Sequence, residues 1–380
     1  MKPKTDCPPL GFRSCVLLVL SGFLFACSSG SPKLKPTELT ASPDLIGVRL
    51  AWTQRIGEVA FPLEVKAASN LIALASSNGS VLVMDPKTGV DVWRTSVNSP
   101  LAAGVGFDGK VAAVISRNNE LIALSGGREM WRQRMAAQSF TAPLVAGGRI
   151  FVLGADRSVS AFDMESGRRI WLQQRAGEAL VLSQGGVLLA VGDTLVVGLS
   201  GRLVGMNPQN GSARWEVAIA NPRGTNDVER LVDLVSQVSR DADRICVRAF
   251  QSAIGCVNAA RGTLLWSKPS FGSVGVNGDG TLLFGVEGDD TLIAWRLSDG
   301  ERVWSLERLR YRRLGPPLVL GRSVVVGDGS GLLHFLSRED GSPLARLATD
   351  GSAISVAPML IGTTLVAVTR NGGVYGFRPE

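Results

Sequence analysis

The chain has 380 residues, 45% of them hydrophobic, with 45 glycines and only 19% charged residues. That composition is too apolar for a disordered segment, and the Gly-punctuated apolar runs are too short for a helical bundle. The formal charge is +7, but Lys and Arg are scattered along the whole chain with no dense, aromatic-interleaved basic stripe, so a nucleic-acid partner is excluded as the leading reading.

In chain order, the first element is a targeting segment at residues 1–26. Lys2, Lys4 and Arg13 form a positive start, and the run from Val16 to Ala26 is apolar but too short to span a bilayer stably. It ends in Leu24-Phe25-Ala26-Cys27. A small residue before a Cys, with Leu three before it, resembles the lipobox at which bacterial lipoproteins are acylated and cleaved; the alternative is an ordinary secretory signal with an incidental Cys. Each buried lipid CH₂ contributes ~0.8 kcal/mol, so an acylated Cys27 would hold a soluble domain at a membrane. Ser28 follows Cys27, where the sorting rules of enterobacterial lipoproteins imply the outer membrane and a protein that faces the periplasm. Residues 27–44 are Ser-, Pro- and Lys-rich, without periodicity, and read as a lipidated flexible tether.

From residue 45 onward an internal repeat sets the fold. Trp52, Trp93, Trp131, Trp171, Trp215, Trp266 and Trp304 recur at intervals of 38 to 51 residues, and an eighth slot falls at Ala345. A Gly stands four residues before the Trp in most units (Gly89, Gly127, Gly167, Gly211, Gly262, Gly300), and Gly341 stands in the same relation to Ala345. Between them lie short apolar runs separated by turn residues. In one unit these are Ala142 to Val145, Arg149 to Leu153, a run ending in Ala161-Phe162-Asp163, and a fourth carrying Trp171. Four short strands in about 40 residues make one propeller blade. The Gly supplies a tight turn with positive φ. The Trp is expected to wedge between blades, burying ~150–250 Å² and offering its N–H to a carbonyl. Regular spacing argues against an aromatic ligand site.

The strand around Trp52 has no three strands before it. Three runs follow Ala345 (Ile354 to Leu360, Thr364 to Thr369, Val374 to Phe377) before the chain stops. The expectation is an all-β fold: an eight-bladed β-propeller of four-stranded antiparallel blades over 45–380, closed by pairing of the N- and C-terminal strands, which removes the free edges.

The pattern A-x-D-x-x-x-G-x-x-x-W, best kept from Ala161 to Trp171, resembles the pyrroloquinoline-quinone-type propeller repeat. Together with the lipobox, length and blade count it resembles the BamB family of outer-membrane assembly factors over essentially the whole mature chain. The resemblance implies a non-enzymatic accessory subunit of the β-barrel assembly machinery. Such a subunit docks on the periplasmic domains of the barrel-shaped insertase and assists its outer-membrane protein clients. It also implies where contact falls. The interval from Trp215 to Trp266 is the longest and holds a polar insertion, residues 221–235, in which Arg230, Leu231 and Asp233 match the family's Arg-Leu-x-Asp-x-Asp segment while Val235 replaces the second acid. The segment 177–185 resembles the family's Leu-x-Leu connection, with Leu180 and Leu182 matching and Ser183 in place of the Arg that commonly follows. The bland alternative for that segment is an ordinary connecting strand.

Cys246 and Cys256 lie equidistant from a turn centred near Gln251 and would face each other across a hairpin, within reach of a disulfide. Export permits the bond, and two buried thiols are the alternative. One His, His334, and no zinc spacing leave no expected metal site. No G-x-S-x-G and no phosphate loop occurs. Two other readings share the repeat or the compartment. A quinone-cofactor dehydrogenase would resemble its family in a vicinal Cys pair and an acidic calcium site, and no vicinal pair exists here. A periplasmic glycan-binding propeller would need aromatic residues on a loop face, yet only 6% of the chain is aromatic and most Trp are used by the repeat. No cofactor is expected.

Overall fold

Eight sheets follow one another along the chain, each of four antiparallel strands in simple meander order, and together they form a closed β-propeller. The computed structural model describes residues 34–61, 63–175 and 180–380. The signal segment, Cys27 and the start of the tether lie outside the described residues. Blades 1 to 7 span residues 66–96, 106–134, 144–174, 188–218, 234–269, 276–306 and 318–348. Blade 8 takes three strands from residues 359–379, and its fourth, outermost strand is Val48–Arg55, which pairs with Gly373–Pro379. The inner and middle strands are short and almost wholly apolar (Val111–Ile115 and Ser323–Gly327 are buried throughout) because each is covered by a blade on either face.

The outer strands are joined by a repeated Trp–Gly contact. Gly167 has φ +70°, and a Cβ placed there would lie 2.5 Å from the ring of Trp131, which belongs to the preceding blade. The same pairing runs from Trp52 on Gly89 to Trp304 on Gly341. Glycine therefore serves twice: it turns the chain and leaves room for the previous blade's indole. Sequence reasoning assigned it the turn alone. Five indoles also donate to a backbone carbonyl in that turn: Trp52 to Pro86, Trp131 to Met164, Trp171 to Pro208, Trp266 to Leu297 and Trp304 to Arg338, at 2.9–3.0 Å. The Asp and Asn that precede the Gly cap the same turn, as Asp85 Oδ1 does for the Lys87 N–H at 2.7 Å.

Ala345 now has a physical reason. Blade 8 is built from the two chain ends, so it has no turn between its third and fourth strands and offers no Gly platform to a ring from blade 7. Ala345 instead packs with Ile46, Val48 and Phe377 around the closure. Two expected boundaries shift. The run expected from Ile354 forms a strand only over Met359–Ile361, since Ile354 is buried in the connection before it. The tether expected to reach residue 44 gives way at Thr37, from where the chain belongs to the propeller unit. The Thr37 N–H donates to Arg310 O, Arg346 to Thr40 O, and the Leu45 N–H to Leu344 O at 2.7–3.1 Å.

Candidate docking surface

A four-stranded meander sends its chain up, down, up and down. The links between blades therefore emerge on the same face as the hairpins between second and third strands, and the Trp-receiving turns lie on the opposite face. The residues singled out for docking fall on the first face, on two successive connections.

These two connections are tied together. Asp233, in the blade 4–5 connection, accepts the Leu182 backbone N–H on Oδ2 at 3.0 Å and Arg157 Nη1 on Oδ1 at 3.0 Å. Arg157 also donates from Nη2 to Leu180 O at 2.9 Å. The Ser236 N–H donates to Gly185 O, and Gly186 forms a bridge with Val235. The structure thus brings together Leu180, Leu182 and Asp233. Asp233 is not itself a projecting surface carboxylate: its side chain is only 16% exposed and both oxygens face inward. Replacing it with Lys would set two cations side by side at a half-buried point. Asp233 acts on the surface by holding the loop.

Leu180 is the projecting member at 41% exposed, while Leu182 is half-buried. Arg230 and Leu231 are half-buried on the far side of the same connection, and Leu231 turns to a separate groove. Val235, at the place of the family's second acid, is a fully buried strand position. Arg157 escaped sequence reasoning although a signal existed. It sits at φ +63° in a hairpin slot that Asn119 and Gly331 occupy in other blades at similar φ. An Arg at a left-handed turn position has no turn-forming reason to be there.

The remaining candidates lie apart. Cys246 and Cys256 are directly paired strand neighbours joined by a disulfide within blade 5. His334 is buried, with Nε2 3.0 Å from Asp328 Oδ2, and Arg312 Nε lies 3.0 Å from the same oxygen. Burial works against the charge on Asp328, but the bond to His334 and the Leu332 and Ser330 N–H groups outweigh it and hold the carboxyl below its ordinary range. The cluster braces the blade 6–7 connection, in which Arg312 lies.

The propeller axis holds a cavity of about 640 Å³, lined in part by Phe61, Glu64, Lys66, Arg313 and Arg370. The residues do not fit a quinone cofactor with calcium. The one carboxylate lining the cavity, Glu64, is already paired with Lys66, so no acidic set remains for the cation. Among the described residues no group of three or more His, Cys, Asp or Glu is placed to hold a metal ion.

A propeller of quinone-type repeats, whose repeat-breaking residues gather on one loop face and whose axis lacks the acidic set of a cofactor site, is the class that fold and surface define. Residues 77–306 match the family model described as outer membrane protein assembly factor BamB. The BamB protein of Burkholderia pseudomallei is 36% identical over 360 residues, covering 93% of this chain and 94% of its own. The crystal structure of BamB from Moraxella catarrhalis superposes with a TM-score of 0.79 at 20% identity, covering 87% of this chain and 99% of that one. A quinohemoprotein alcohol dehydrogenase from Comamonas testosteroni shares the fold at TM-score 0.68 and 14% identity, over 88% and 77% of the two chains. This chain belongs to the outer membrane protein assembly factor BamB family.

Proposed function

We propose that the protein is a non-enzymatic scaffold of the outer-membrane β-barrel assembly machinery, anchored to the outer membrane through lipid on Cys27 and facing the periplasm. In this reading residues 1–26 are removed as a signal peptide. The loop face docks on the periplasmic domains of the insertase and so assists insertion of outer-membrane proteins. The names of the relatives support assembly as the task. One observation carries the docking surface: two connections from different blade junctions are locked to each other by Asp233 and Arg157, leaving the Leu180 side chain outward on a fixed backbone. A rigid base under a projecting apolar residue lowers the ordering cost of association.

The test is co-purification of the insertase with Leu180→Asp. The substitution places a charge at an exposed point, so the fold should stand and the complex should be lost. An unchanged yield of complex would count against this surface.

A further inference from the structure

The connection that carries Asp233 has a second side. Its residues Val228 and Leu231 form one wall of a groove of about 700 Å³, and Phe271, in the blade 5–6 connection, stands on the other. Val228 is 71% and Phe271 65% exposed, and Phe271 is the one aromatic among the exposed large hydrophobics of the described residues. The floor is apolar and buried, from Ile219, Val232 and Ala253.

Phe271 is held out on a stiff support. Its N–H donates to Glu287, which also accepts Arg248 Nη1 at 3.1 Å and Ser270 Oγ at 2.6 Å. Arg248 is fully buried and lies 5.9 Å from the Trp295 ring centroid. A Cβ on either Gly272 or Gly285 would strike its guanidinium. A buried ion pair inside a glycine cradle is an expensive way to shape a mere link between blades. The groove is also continuous with the proposed docking surface. Gln184, two residues beyond Leu182, donates to Ser273 O at 3.4 Å, so the three successive connections form one bonded ridge. Arg223 lies at the groove rim, exposed and without a side-chain partner among the described residues.

We infer that this groove is the outer half of the insertase interface, with Phe271 and Val228 as its apolar anchors and Arg223 facing a carboxylate. The occupant is the same periplasmic domain that seats on Leu180, bringing an apolar side chain flanked by an acid. The inference rests on the proposed docking reading. A rigid exposed aromatic beside a small apolar groove is the usual form of an interface hot spot.

The experiment measures equilibrium binding of the full mature protein to the purified periplasmic domains of the insertase, for Leu180→Asp, Phe271→Ser, Val228→Ser and Arg223→Glu, with thermal melts as the fold control. Phe271→Ser should weaken binding by about 10- to 30-fold and Val228→Ser by less, at unchanged melting temperature. Arg223→Glu should steepen the loss at low salt. If Leu180→Asp abolishes binding while both apolar groove variants bind normally, the groove is not interface and the docking reading survives alone. Normal binding by all four overturns both. Weakening by the groove variants with none from Leu180→Asp keeps the groove and removes Leu180.

Discussion

Two kinds of joint hold neighbouring blades together, and they behave differently. On one face the Trp–Gly contact recurs at every junction where a receiving turn exists, and five of the seven indoles also donate to a carbonyl in that turn. More exposed ion pairs such as Arg338–Asp279 and Arg175–Glu216 also join neighbouring blades, but the largely buried Arg–carboxylate pairs lie on the other face at selected places: Arg157–Asp233 across blades 3 to 5, Arg248–Glu287 across blades 5 and 6, and Arg312–Asp328 beside the blade 6–7 connection. The first kind is apolar, periodic and indifferent to position, as packing is. The second fixes particular connections, and two of its three members lie under the surface proposed for docking. Regularity on one face builds the ring; irregularity on the other marks the connections proposed for docking.

The largest effect should come from breaking the regular joint. Trp171 is buried, packs on Phe151 with ring centroids 6.0 Å apart, and bonds to Pro208 O. Trp171→Ala should cost about 3–5 kcal/mol of stability, read by denaturant unfolding, while the surviving folded fraction binds the insertase normally. Loss of binding out of proportion to unfolding would blur the distinction between the two joints. Asp233→Ala should invert that profile. The pair is partly accessible, so a cost of about 1–3 kcal/mol is expected, with binding lost because Leu180 and Leu182 are no longer fixed. Asp233→Asn can still accept the Leu182 N–H, and it should retain more binding than Asp233→Ala if the residue acts by positioning.

This contrast explains what could be read from the chain. Blade number, strand order and closure were legible because the Trp and Gly positions repeat, and repeats report packing shared by all units. The Cys246–Cys256 pairing was legible because a symmetric hairpin makes directly opposed residues neighbours. The inward turn of the Asp233 side chain was not, since its partner Arg157 lies 76 residues away in another blade. The service of each Gly to the preceding blade's ring was equally hidden, because local turn chemistry already accounts for a Gly there. Phe271 carried no periodic signal, and only its exposure in the folded ring sets it apart.

A smaller effect tests the missing ring. If Ala345 is small because blade 8 offers no receiving turn, Ala345→Trp should overpack the closure against Phe335 and Val48 and destabilise by about 1–3 kcal/mol. A stabilised protein would mean that an indole can be housed there without a Gly platform. The loss of Trp at this slot would then need another cause.

The smallest expected effect is read by pH at one of the charged joints. Asp328 is fully buried and its folded carboxyl lies below the ordinary range, because His334 and two backbone N–H groups outweigh the burial that opposes its charge. A depressed carboxylate contributes stability that is fully present above its unfolded value of about 4 and is lost as pH falls through the folded value. Unfolding free energy should therefore decline on acidification below about pH 4, and Asp328→Asn should flatten that decline while lowering stability at neutral pH by leaving Arg312 without its charge partner. An unchanged acid limb in Asp328→Asn would mean that the decline comes from other carboxylates, and that the brace at His334 is not the acid-sensitive part of the frame.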